Sequence, residues 1–246
     1  MAAARLFVCL LRWDLLREIR RQETVASMSL FALLVLFLGQ MGIGPDGTFS
    51  GARGVSSAAA LAQQGLGPVF FWVAILFAGT VGLGQTFAVE REGQLIGGLV
   101  TAPIDLGFFY LAKVAAVWLY ISLMEILVFV AYFVLFGFSD DADIASLFAA
   151  VAVFTLAYVA PGVILAAMTT TLSGRGEVLL RILLIPLMLP VIVLTFRTSE
   201  HFFDTLIAGG VLGDPLPVPQ YLAFTLALDA IYLTVGYLLF PKVLEE

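Results

Sequence analysis

The stretch VEREGQLIGGLVTAPIDLGFFYLAK, residues 89–113, interrupts a chain that is otherwise almost wholly compatible with hydrocarbon. It carries Glu90, Arg91, Glu92, Asp105 and Lys113 in a patch broken by Gly93, Gly97, Gly98 and Pro103, with long apolar runs on both sides. Glycine weakens a helix, and proline ends one while pushing the residue before it, here Ala102, toward extended backbone. The spacing predicts a short helix near residues 90–100, a break, and re-entry into an apolar helix from Ile104. Leu95, Ile96, Leu99 and Val100 would give that short helix an apolar side, which a merely solvated loop does not need. The expected shape is a rigid elbow over residues 89–108 that can pass force to the helices it joins.

Composition fixes the solvent. Of 246 residues, 61% are hydrophobic and 12% charged, and the mean hydropathy is +1.06. A soluble domain carries about a quarter charged residues, so the bilayer is the medium in which this chain folds. One cysteine, Cys9, excludes an internal disulfide or a cysteine-based metal cluster, and is expected to be an apolar filler on a helix.

Apolar windows long enough to cross a bilayer fall at about 25–44, 68–88, 108–138, 144–172, 178–197 and 219–241. The fold class is therefore all-α, with six membrane helices. The fifth window is the shortest, and Arg181 and Arg197 at its flanks are expected to snorkel outward. The first window is too long for the apolar part of a cleaved signal and lacks a small-residue exit, so it is expected to be retained.

Orientation follows from the loop Lys and Arg. With the N-terminus in the cytoplasm, the inner side holds Arg5, Arg12, Arg17, Arg20, Arg21, Arg91, Lys113, Arg175, Arg181 and Lys242; the outer side holds Arg53 and Arg197. Both termini are expected on the inner side. Residues 1–24 then form an interfacial segment. From Val8 to Arg21, Val8, Leu11, Leu15 and Ile19 share one helical face, while Asp14, Arg17, Glu18 and Arg21 share the other. A basic amphipathic helix before a span lies flat at the membrane surface.

Within the spans, Ala78 and Gly82 make a small-xxx-small surface suited to tight packing, and Pro161, Pro186 and Pro190 are expected to bend their helices. Glu125 and Asp229 lie at membrane depth. A lone carboxylate there is expensive, so protonation, or hydrogen bonds from Ser122, Thr225 or Tyr232, are candidate relief. His201, the only histidine, falls in the last outer loop.

Familiar catalytic chemistry is missing. There is no G-x-x-x-x-G-K-[ST] phosphate loop and no H-E-x-x-H, and the Arg cluster at residues 5–21 suits a membrane surface rather than nucleic acid. Energy for any work must come from another chain, and the elbow is the candidate docking point for an ATPase. A membrane-embedded enzyme using Glu125 and Asp229 as an acid/base pair is the alternative of a different class.

An inner amphipathic helix, six spans and a charged loop after the second resemble the permease subunits of type-2 ABC exporters. Locally, residues 89–119 resemble the haem exporter protein B family, the permease of bacterial cytochrome c maturation, through Glu92-Gly93, Pro103 and Leu111-Ala112-Lys113. Residues 173–196 resemble it through Gly174-Arg175-Gly176, Leu179-Leu180, Pro186 and Pro190. The resemblance spans about residues 5–200. It implies one permease domain over 1–246 that is not itself an enzyme, with Glu90, Arg91, Glu92, Gly93, Leu95, Gly174 and Arg175 docking a cytoplasmic ABC ATPase. It also implies a haem-handling membrane subunit, a periplasmic haem chaperone, haem as cargo of the complex and ATP in the partner, with no metal or cofactor resident in this chain. Trp13, Trp72 and Trp118 lie outside the outer loops, which suits a force-transmitting subunit rather than the haem holder. A permease for a drug, lipid or polysaccharide is the alternative within the class.

Overall fold

A computed structural model describes residues 9–16, 22–42, 66–87, 105–136, 144–168, 176–202 and 218–245. These form a short helix α1 (9–16) and six long ones: α2 (Gln22–Gly42), α3 (Leu66–Gln85), α4 (Leu106–Phe136), α5 (Ile144–Met168), α6 (Gly176–Phe202) and α7 (Val218–Glu245). Five of them, α2, α3, α4, α5 and α7, are long and apolar enough to cross a membrane, and α6 carries a shorter apolar stretch, Ile182–Thr198. Only helices appear among the described residues, as hydrocarbon demands: each backbone N–H needs a partner within its own segment. The chain is a multi-pass α-helical membrane protein.

Cross-helix contacts set the packing directions. Gly82 of α3 meets Met28 of α2, while Gly39 of α2 meets Phe70 of α3, so these two run antiparallel. Phe71 near the start of α3 stacks edge-on with Phe129 and Tyr132 near the end of α4. Tyr110 and Trp118 of α4 bond Ala160 and Ala152 of α5, again antiparallel. One end of the bundle, the basic end, therefore gathers α1, the start of α4 and the end of α7.

Lipid tails are as apolar as leucine, so close packing and hydrogen bonds hold the helices together. The small-residue surface does what its spacing suggests: Ala78 is buried, and a Cβ on Gly82 would stand 3.0 Å from Met28 Cε. Other glycines matter as much. Gly79 would meet Tyr158 at 2.6 Å, Gly107 lies under the Tyr237 ring, and Gly236 lies under Tyr110. Helices α5 and α6 continue through Pro161 and through Pro186 and Pro190. Pro161 is buried, whereas Pro186 and Pro190 are exposed on the outer face of α6. α7 also contains Pro241.

Several expectations are corrected. His201 belongs to the last turns of α6, because the helix outlasts its apolar stretch. Arg197 is buried instead of snorkelling outward, and the Arg181 side chain lies outside the described residues. Residues 106–108, assigned to the elbow, already form the first turn of α4. Cys9 is exposed rather than a packed filler.

Replacing Gly236 by valine would drive methyl groups into Tyr110. Overpacking of this kind costs about 1–3 kcal/mol. Thermal unfolding in detergent should show a lowered midpoint for Gly236→Val, and the Gly236→Val step should cost less when made in a Tyr110→Ala background, where the ring is gone.

Candidate functional site

The described residues place one compact polar site at the basic end. Lys113, two turns into α4, is buried, and its Nζ lies 3.3 Å from Asp14 Oδ1 of α1. The same ammonium stands 5.1 Å from the centre of the Phe87 ring, a cation–π distance. Asp14, Thr86, Lys113, Ala116 and Val117 line a small cleft beside the pair. The helical projection put Asp14 on the solvated face of α1. Lys113, from a helix 99 residues away in sequence, draws it inward, and a projection of one segment carries no such information. Trp13 and Leu16 of the same helix stay exposed.

A second anchor lies at the start of α4. Asp105 caps the helix: its Oδ1 accepts from the Gly107 N–H at 2.8 Å, and its Oδ2 accepts from the Tyr237 hydroxyl of α7 at 3.1 Å. An N-terminal aspartate satisfies an orphan N–H and suits the helix dipole. Phe240 of α7 closes the site, with ring centroids 6.3 Å from Phe87, 6.0 Å from Phe109 and 5.3 Å from Tyr110. Phe87 and Asp105 are the described residues on either side of 88–104, so both ends of that segment are rooted in one packed block of α1, α3, α4 and α7. The expected elbow residues Glu90, Arg91, Glu92, Gly93, Leu95 and Pro103 lie outside the described residues, as do Gly174 and Arg175. Asp14, Phe87, Tyr237 and Phe240 were missed by sequence reasoning; only the lone Lys113 at the mouth of an apolar helix hinted at a buried partner.

The two intramembrane carboxyls are treated differently. Glu125 is buried and accepts a hydrogen bond from Thr155 of α5. Asp229 is buried with neither oxygen hydrogen-bonded, and no bond joins the two acids. Thr225 and Tyr232 do not relieve them: Thr225 donates to the Tyr221 carbonyl at 2.9 Å, the usual i−4 bond of a helical threonine. Tyr232 donates to the Leu187 carbonyl at 3.0 Å, next to the Pro186 carbonyl that Pro190 leaves without its helical donor. Ser122 stands near Glu125 without reaching hydrogen-bond geometry. Among the described residues, no three His, Cys, Asp or Glu side chains are grouped to hold a metal.

A bundle of apolar helices with its polar anchors gathered at one end defines an integral membrane protein. The profile of the family described as CcmB protein matches residues 5–245, and the chain belongs to that family. The match runs well past residue 200, where the local motifs fade. The chain is 28% identical over 196 residues to the heme exporter protein B of Pseudomonas aeruginosa, covering 78% of this chain and 80% of that protein.

Breaking a buried ion pair from one side strands the other charge and costs about 3–5 kcal/mol, whereas replacing both partners by apolar groups is often neutral. Asp14→Ala and Lys113→Ala should each lower the unfolding midpoint in detergent strongly. The double variant Asp14→Leu/Lys113→Met should recover most of the loss.

Proposed function

We propose that this chain is the permease subunit of an ABC transporter that acts in haem export and cytochrome c maturation. Its residues 1–246 form a single permease domain in a bacterial inner membrane with both termini cytoplasmic. Family membership and the similarity to a protein named heme exporter protein B support the transport reading. The observation that carries the mechanism is the double rooting of 88–104: Lys113–Asp14 and the Phe87 contacts hold one side, and Asp105–Tyr237 holds the other.

In this reading the segment 89–104, with Glu90, Arg91, Glu92, Gly93 and Leu95, docks a separate cytoplasmic ATPase. Gly174 and Arg175 supply a second contact on the same side. Motion of the docked ATPase on nucleotide hydrolysis reaches the bundle through Asp105 at the tip of α4. That helix is 31 residues long, about 46 Å at 1.5 Å per residue, so it carries displacement across the bilayer as one rod. A haem-handling membrane subunit and a periplasmic haem chaperone complete the assembly, and the work is spent on releasing the loaded chaperone. This chain provides no nucleotide site and acts as a lever rather than a catalyst.

Co-purification with a separate ATPase should be lost in Glu92→Lys and in Gly93→Pro. Binding retained in both variants overturns the docking assignment. In a Cys9→Ala background, Gln94→Cys should resist an impermeant maleimide in intact spheroplasts and react in inverted vesicles; the reverse pattern removes the segment from any cytoplasmic partner. Cells lacking the gene should lose c-type cytochromes, whereas a drug, lipid or polysaccharide permease would leave them intact.

A further inference from the structure

The Lys113–Asp14 pair fixes the rotation of α1. Leu10 and Leu15 pack on the bundle core beside buried Asp14. Arg12 and Leu16, two residues to either side of Asp14, project about 160° away from it at the helical repeat. With Cys9 and Trp13 they make up the exposed side of the helix. Trp13 is 54% and Leu16 48% exposed, so an indole, a branched alkyl group and a guanidinium share one exposed face.

That face sits at the edge of the hydrocarbon. α4 is about 46 Å long at helical rise, close to the roughly 40–45 Å of a bilayer with its headgroups. Lys113 lies seven residues from the start of the helix, about 10 Å along it, where hydrocarbon gives way to headgroups. Asp14 shares its cleft with Ala116 and Val117, which lie further in, so α1 lies against the flank of α4 and not beneath its tip. At that depth the medium around an exposed side chain is lipid headgroup, glycerol and the first methylenes.

α1 holds two charged residues, Arg12 and Asp14, and Lys113 takes up the charge of Asp14. Arg12 is left to set the sign of the outer face. The sequence around it adds to that sign: apart from Asp14, residues 1–21 carry Arg5, Arg12, Arg17, Arg20 and Arg21 against Glu18. A guanidinium binds phosphate oxygens through paired N–H bonds, and indole is favoured at the membrane interface. A zwitterionic headgroup brings its own ammonium and leaves the excess positive charge standing, whereas an anionic headgroup neutralises it. We propose that the exposed face of α1, with Arg12, Trp13 and Leu16, is a binding surface for anionic phospholipid. The lipid phosphate lies on Arg12, and Trp13 and Leu16 reach the upper part of the acyl chains. No ATPase, nucleotide or haem enters, so this surface stands or falls separately from the transport reading.

The test is fluorescence quenching of the full chain in vesicles of phosphatidylcholine and phosphatidylglycerol at equal mole fractions, with bromine on the acyl chains of one lipid or the other. The Trp13 signal is the difference between wild type and Trp13→Phe, a change at an exposed site that leaves Trp72 and Trp118 in both proteins. Bromine on phosphatidylglycerol should quench that signal more, by up to about fivefold for the pull of one arginine at an anionic surface. High salt should shrink the difference, and Arg12→Gln should bring the two lipids toward equal quenching. Equal quenching in the wild type overturns the proposal, as does a lipid preference that Arg12→Gln leaves unchanged. Quenching by neither lipid means that protein covers the face, and overturns it too.

Discussion

Lys113 is the charge around which the basic end is organised. An ammonium two turns inside an apolar helix must find a counter-charge or be drawn out of the packed interior. Asp14 supplies that charge, and supplying it fixes the amphipathic helix α1 against α4. With α1 in place, Lys113 can sit over the Phe87 ring at the end of α3. The end of one membrane helix, the start of the next and the preceding surface helix are thereby tied to a single buried charge. The Asp105 cap and the Phe240 ring extend the same block to α7. In the proposed lever, load applied between Phe87 and Asp105 would reach the start of α4 through this block instead of bending its neighbours.

Beyond that block, α4 is bound to α5 at three depths. Tyr110 bonds the Ala160 carbonyl, Trp118 the Ala152 carbonyl, and Glu125 the Thr155 hydroxyl. In hydrocarbon a helix pair gains little from burying leucine, so these bonds and the glycine contacts decide which helices move together. α4 and α5 form one body. α6 is the contrasting element: its prolines face outward, its apolar stretch is short, and a cavity separates part of it from α3 and α5. Any rearrangement of the bundle has its least-tied helix there.

The helices themselves were legible because their cause is local. Twenty apolar residues in a row leave few other structures, and the windows at 68–88 and 144–172 became α3 and α5 nearly as read. Ala78 and Gly82 were legible for the same reason, since small residues four apart announce close packing. What sequence missed are relations between helices. Asp14 read as solvated because a helical projection sees only its own segment. Ser122, Thr225 and Tyr232 were offered as partners for Glu125 and Asp229 because those hydroxyls were plausible in type; the hydroxyl that reaches Glu125, Thr155, is selected by the register of α4 on α5, which no single segment encodes. Gly107 and Gly236 carried no sequence signal, because the Tyr237 and Tyr110 rings that lie over them come from other helices. His201 read as a loop residue because the apolar stretch ends at Thr198, but a helix ends where its hydrogen bonds end, not where its hydropathy does.

Placing the charged anchor and the buried acid on one helix has a mechanical consequence. Asp105 and Glu125 are twenty residues apart on the same rod, about 30 Å at helical rise. A helix transmits axial and tilting displacement but does not absorb it, so a shift imposed at Asp105 reaches Glu125 with its direction intact. There it meets a contact of a different kind, because the Glu125–Thr155 bond depends on the relative height of α4 and α5 and a slide of one residue would part the two groups. A carboxyl at that position is therefore sensitive to motion that a leucine would not register. Its cost in stability becomes intelligible if the bundle must hold one register firmly and leave it only under load.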